Sequence, residues 1–142
     1  MSGIRSVVAA AAVATAALTF ILPNSASAAP AALAQPSAAQ LAAVDCAQGD
    51  VCFWSDFNFT GSKCAWDVAD PDWQGGAVKC SWAATTNVRS VFNAGTGSSS
   101  GVAFYSGTNY SGRIGCTRNQ QGGNLAGTYK VRSHKWISGN CG

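Results

Sequence analysis

The residue types able to do covalent or metal chemistry are scarce in this chain. It has a single histidine, His134, so any Ser-His-Asp arrangement would have to use it. His134 follows Ser133 in a segment, Lys130 to Ile137, that reads as a strand, where a lone histidine is expected at the surface or half-buried. Asp70 and Asp72 form a pair of carboxylates, but Pro71 between them marks a turn rather than an acid-base site. The six cysteines are even in number, and once oxidised they leave no thiolate nucleophile. Paired short spacings such as C-x2-C, which zinc requires, are absent. These residues argue against an enzyme, and no cofactor is expected.

The cysteines point instead to a stapled fold. Arg5 precedes an apolar run from Val7 to Leu22, Pro23 ends it, and Ala26-Ser27-Ala28 offers the small-x-small pattern of a cleavage site. Residues 1–28 therefore read as a secretion signal rather than a structural helix, and the run is short for a membrane span. The expected product is secreted, with no membrane attachment after cleavage. Residues 29–44, rich in alanine and carrying two prolines but no aromatic residue, read as a disordered linker. Residues 45–142 then form one domain that holds all six cysteines. Export to an oxidising compartment makes three disulfides the expected outcome, with pairs Cys46–Cys52, Cys64–Cys80 and Cys116–Cys141.

Charge is sparse and sorted. All six acids are aspartates that precede Trp73, whereas Arg89, Arg113, Arg118, Lys130, Arg132 and Lys135 follow Cys80. Two halves of one domain that attract each other account for this, and the net charge of +3 gives no basic stripe for nucleic acid.

An internal repeat sets the architecture. Phe53-Trp54-Ser55-Asp56-Phe57-Asn58-Phe59-Thr60-Gly61 aligns with Phe104-Tyr105-Ser106-Gly107-Thr108-Asn109-Tyr110-Ser111-Gly112, and Val88-Arg89-Ser90 recurs as Val131-Arg132-Ser133. Val51 to Ser55 and Val102 to Ser106 are short β-favouring runs that end at polar turns. All but one of the 16 glycines lie in the domain and interrupt any helical stripe. Gly61 and Gly112 fall where a hairpin folds back, with Trp54 expected to meet Phe59 and Tyr105 to meet Tyr110. The first copy covers about residues 45–94 and the second about 101–142, joined by a Gly/Ser connector.

The spacing aromatic-x4-aromatic-x-Gly, at Trp54, Phe59 and Gly61 and again at Tyr105, Tyr110 and Gly112, resembles the βγ-crystallin Greek-key signature. Ser90 and Ser133 resemble the serines that bond back to the folded hairpin in that family. The resemblance implies an all-β, disulfide-stapled sandwich of two tandem Greek keys. Within that fold, the C-x5-C opening and Val-Cys-Phe-Trp-Ser resemble the secreted bacterial peptidase inhibitors typified by the Streptomyces metalloproteinase inhibitor. That likeness implies a monomeric inhibitor that occupies the cleft of an extracellular zinc metalloprotease. The alternative is a non-inhibitory extracellular or toxin-like binding module.

Many βγ-crystallin domains bind calcium through Asn/Asp-Asn/Asp-x-x-Ser/Thr-Ser. The matching segments here, Thr85 to Ser90 and Thr128 to Ser133, lose the leading pair and place arginine where a hydroxyl is needed. No metal is expected, and Asn87 with Ser90 is at most a weak calcium candidate. The inhibitors that the chain resembles are expected to use a short disulfide-closed loop in the second half, and this sequence has no close cysteine pair there. The first copy offers its own candidate, since Gly61 to Ser90 spans 29 positions and Gly112 to Ser133 only 21. The extra residues fall within Asp67 to Val78, which the Cys64–Cys80 pair would bracket. Trp73, flanked by Asp70 and Asp72, is the expected protease contact, as a constrained aromatic loses little entropy on binding. The competing expectation is a Trp73 folded back into the core.

Overall fold

A computed structural model describes residues 36–97, 100–139 and 141. The expected signal, residues 1–28, lies outside the described residues. Among the described residues, seven strands follow one short helix: α1 (Ala38–Ala42), β1 (Val51–Trp54), β2 (Lys63–Trp66), β3 (Val88–Asn93), β4 (Ser100–Tyr105), β5 (Arg113–Thr117), β6 (Gln121–Tyr129) and β7 (Ser133–Ser138). They form two antiparallel sheets, ordered β2-β1-β3-β6 and β5-β4-β7.

The repeat is visible in the backbone itself. Asn58 and Phe59 both take positive φ (56° and 62°), and so do Asn109 and Tyr110 (52° and 61°). Two consecutive left-handed residues fold each β1–β2 or β4–β5 connection back over its own sheet, a conformation that costs a side-chain-bearing residue energy. One device repays that cost in each copy. The Ser90 hydroxyl accepts from the Phe59 N–H at 3.1 Å and donates to the Asp56 carbonyl at 2.7 Å. The Ser133 hydroxyl accepts from the Tyr110 N–H at 3.1 Å and donates to the Gly107 carbonyl at 2.6 Å. Gly61 and Gly112 complete the two turns at φ 81° and 64°; a Cβ at either would lie 2.5 Å from a serine Oγ. The folded hairpins carry Phe59 onto Trp54 (5.4 Å) and Tyr110 onto Tyr105 (5.9 Å), both edge to face.

Strand exchange joins the copies. In the second copy β6 leaves its own sheet and pairs with β3 of the first. In the first copy the corresponding segment crosses the other way, but its pairing with β7 shrinks to one bridge, Asp70 with His134. The second sheet thus has three strands and a bridge.

Between the sheets lie Val51, Phe53, Trp66, Trp73, Val88, Val91, Val102, Phe104 and Val131. Phe53 sits at the centre, with its ring edge to face against Trp66, Trp73 and Phe104. β1 is buried at every residue because a second cluster, Cys52, Trp54, Phe92 and Ala94, covers its other face. Here the structure corrects the expectation of a disordered linker over 29–44. Ser37 and Gln40 form a capping box, and the helix they start brings Leu41 and then Val44 against that cluster. Residues 29–35 of that expectation lie outside the described residues.

Candidate functional site

Three disulfides are present: Cys46–Cys52, Cys64–Cys80 and Cys116–Cys141. The second closes the 16-position span that contains the first copy's extra residues. The third joins β5 to Cys141 across 25 positions, so it encloses no short loop in the second copy.

Within the Cys64–Cys80 loop, Trp73 is wholly buried (0% exposed), which corrects the expectation that it meets a partner. Its ring stacks on Trp66 at 4.6 Å and 24°. Its indole Nε1–H donates to His134 Nδ1 at 2.8 Å. Its backbone N–H donates to the Arg132 carbonyl at 2.9 Å, and its carbonyl accepts from the Cys80 N–H at 2.8 Å. Burial of so large a ring among partners from β2, β7 and the Cys80 turn makes Trp73 the base on which the loop sits.

His134 is likewise wholly buried rather than at the surface. An indole nitrogen can only donate, so Nδ1 of His134 is the acceptor and the ring proton resides on Nε2. Nε2 then donates to the Val68 carbonyl at 3.0 Å. Burial pushes the imidazole down to about 4, against the smaller opposing pull of the Val68 carbonyl and the Asp70 carboxylate. The ring is neutral at ordinary pH and acts as a two-sided tie.

Asp70 and Asp72 are spent on the loop's own geometry. Asp70, 8% exposed, accepts from Trp66 Nε1 at 2.9 Å and from the Asp72 N–H at 2.8 Å. Asp72 accepts from the Gln74 N–H at 3.0 Å and pairs with Arg132 Nε at 2.6 Å. The hydrogen bond from Arg132 holds the Asp72 carboxyl below its ordinary value. This pair is one physical form of the attraction between an acidic first half and a basic second half. Nothing in the arrangement resembles an acid-base dyad.

The loop's outer surface is largely apolar between the charged Asp67 and Lys79. Val68 (61% exposed) and Val78 (44%) are its exposed large hydrophobic residues, with Asp67, Ala69 and Pro71 also exposed. Sequence reasoning passed over Val68 because valine carries no chemical signal of its own.

The calcium candidates fare differently from a ligand set. Ser90 is wholly buried with both of its hydroxyl bonds committed to the hairpin. Arg89 lies over the Phe57 ring at 4.9 Å. Among the described residues, no group of three or more His, Cys, Asp or Glu is placed to hold a metal ion.

Two exchanged four-segment motifs, each locked by a serine under a folded hairpin, define a disulfide-stapled, all-β sandwich that displays a clamped loop. Residues 39–117, more than half of the chain, match peptidase inhibitor family I36, and the chain belongs to that family. Its partner is accordingly a protease, and its action is inhibition rather than catalysis. A solved structure described as "Evolution of the eye lens beta-gamma-crystallin domain fold" is 16% identical, with a TM-score of 0.48 over 66% of this chain and 90% of that one. No curated protein matches the chain.

Proposed function

We propose that this protein is a secreted inhibitor of an extracellular zinc metalloprotease of the thermolysin type, acting as a monomer by occupying the protease cleft without turnover. The observation that carries the reading is the Cys64–Cys80 loop, an apolar display mounted on a rigid base inside a member of an inhibitor family. A cleft binds a pre-formed, clamped segment with little loss of chain entropy. A base held by Trp66, Trp73 and His134 resists relaxation of that segment once it is bound.

The test is a titration of the purified, oxidised protein against a thermolysin-like metalloprotease, following residual activity, with a subtilisin-type serine protease in parallel. Stoichiometric loss of the metalloprotease activity alone is expected. Loss confined to the serine protease would move the target class. Full activity of both at large inhibitor excess would overturn the reading in favour of a non-inhibitory binding module.

A further inference from the structure

The segment Asp67 to Asp70 is clamped on its inner side and open on its outer side. Asp70 donates its N–H to the His134 carbonyl and accepts the His134 N–H on its own carbonyl, each at 3.0 Å. In an antiparallel pair, the residue next to such a doubly bonded one turns its N–H and C=O the opposite way. The backbone of Ala69, which is exposed, therefore faces away from β7. One residue earlier, the Val68 carbonyl is tied inward to His134 Nε2 while its side chain stands 61% exposed.

We propose that this strap is the part of the protein that enters the protease, with Ala69 pairing its backbone against the edge of the cleft and the Val68 side chain filling an apolar subsite. The proposal rests on the reading of the chain as a metalloprotease inhibitor. Three observations carry it. The second copy closes no short disulfide loop, since its bond reaches across 25 positions to Cys141. The first copy, by contrast, has given up a full third strand: β6 pairs along β3 from Val88 to Asn93, whereas its counterpart keeps only the Asp70 bridge. Chain released from a sheet in this way is free to face outward. Finally, the strap is fixed at both ends, by the Cys64–Cys80 bond and by the bonds of Asp70 to Trp66, Asp72 and His134. A single exposed valine means little. A valine exposed two residues before a bridged aspartate, on backbone held at both ends, offers an edge to which a partner strand can add.

Val68→Asp tests the assignment, with Ala126→Asp, at an exposed position of β6, as the control. Both sites are exposed, so both variants should melt as the parent does. Val68→Asp is expected to weaken inhibition of the thermolysin-like protease by roughly a hundredfold, because a carboxylate would enter an apolar subsite. Ala126→Asp should stay within about threefold of the parent, as expected for surface positions away from the contact. Val68→Ser is the milder second variant and should cost roughly tenfold through lost apolar burial alone. A parent that inhibits while both Val68 variants inhibit equally well would overturn the strap and leave the function standing. A parent that leaves the protease untouched would overturn both.

Discussion

The Trp73 indole N–H meets His134 Nδ1 at 2.8 Å, across 61 positions of sequence and between two wholly buried side chains. This one bond joins the loop of the first copy to the last strand of the second. It also fixes the imidazole so that its other nitrogen reaches Val68, placing the strap by way of two side chains. Trp73→Phe keeps most of the ring but removes the donor, stranding Nδ1 in the interior. The variant should lose about 1–3 kcal/mol by urea denaturation under oxidising conditions, in the range for an orphaned buried acceptor. No measurable loss would mean that Nδ1 finds another partner.

Acid should weaken the fold through the same histidine. The unfolded imidazole titrates near 6.5 and the folded one at about 4. Between these values the unfolded chain binds more protons, so stability falls as pH drops from about 6.5 to about 4 and then levels off for this group. A separation of that size amounts to about 3 kcal/mol. Asp72, held low by Arg132, adds its own loss only at more acidic pH, as pH falls through its depressed value. Stability curves measured at steps between pH 4 and 7 should show the slope in the parent and a flatter profile in His134→Gln. Identical slopes in both proteins would place the effect elsewhere.

The disulfides should rank by the span they close. The chain-entropy treatment gives about 2 kcal/mol for Cys46–Cys52, about 3 for Cys64–Cys80 and about 3.5 for Cys116–Cys141. Paired Cys→Ala variants, compared by chemical denaturation, should follow that order. The Cys64–Cys80 variant should also lose inhibitory strength beyond its share of stability, since it frees one end of the strap. A variant that is less stable yet inhibits as before would show that the strap is held by Asp70 and His134 alone.

Ser90→Ala and Ser133→Ala should behave as a matched pair. Each removes one donor and one acceptor from a buried hairpin lock. About 2 kcal/mol is expected for either, and the double variant should show close to the sum, because the locks share no partner. A double variant much worse than the sum would indicate that the two hairpins report on one shared element.

What was legible in the sequence was what repeats. Two aligned aromatic blocks with trailing serines fixed an all-β pair of Greek keys, because identical local chemistry folded twice into the same left-handed hairpin at Asn58-Phe59 and Asn109-Tyr110. The helix at Ala38–Ala42 was not legible. Its five residues are too short for propensity to speak, and it exists because Leu41 has Trp54 and Phe92 nearby to cover. The Asp70-Pro71-Asp72-Trp73 segment was readable as an insertion but not in its direction. Whether Trp73 faces in or out depends on His134 and Arg132, distant partners that no local pattern announces. The exposed Val68 was hidden for the opposite reason, as an apolar side chain 61% exposed carries no pattern that marks it.

The exchange of third segments between the sheets has a consequence for how such a protein can be divided. A cut in the connector between Asn93 and Ser100 would leave the N-terminal fragment without β6 beside β3, and the C-terminal fragment without Asp70 and Trp73 against His134. Neither fragment is a smaller version of the whole, although each holds one complete copy of the repeat. The unit of heredity and the unit of folding therefore differ here. Interlocking makes the two similar halves a single object in which one half's loop is held by the other's last strand.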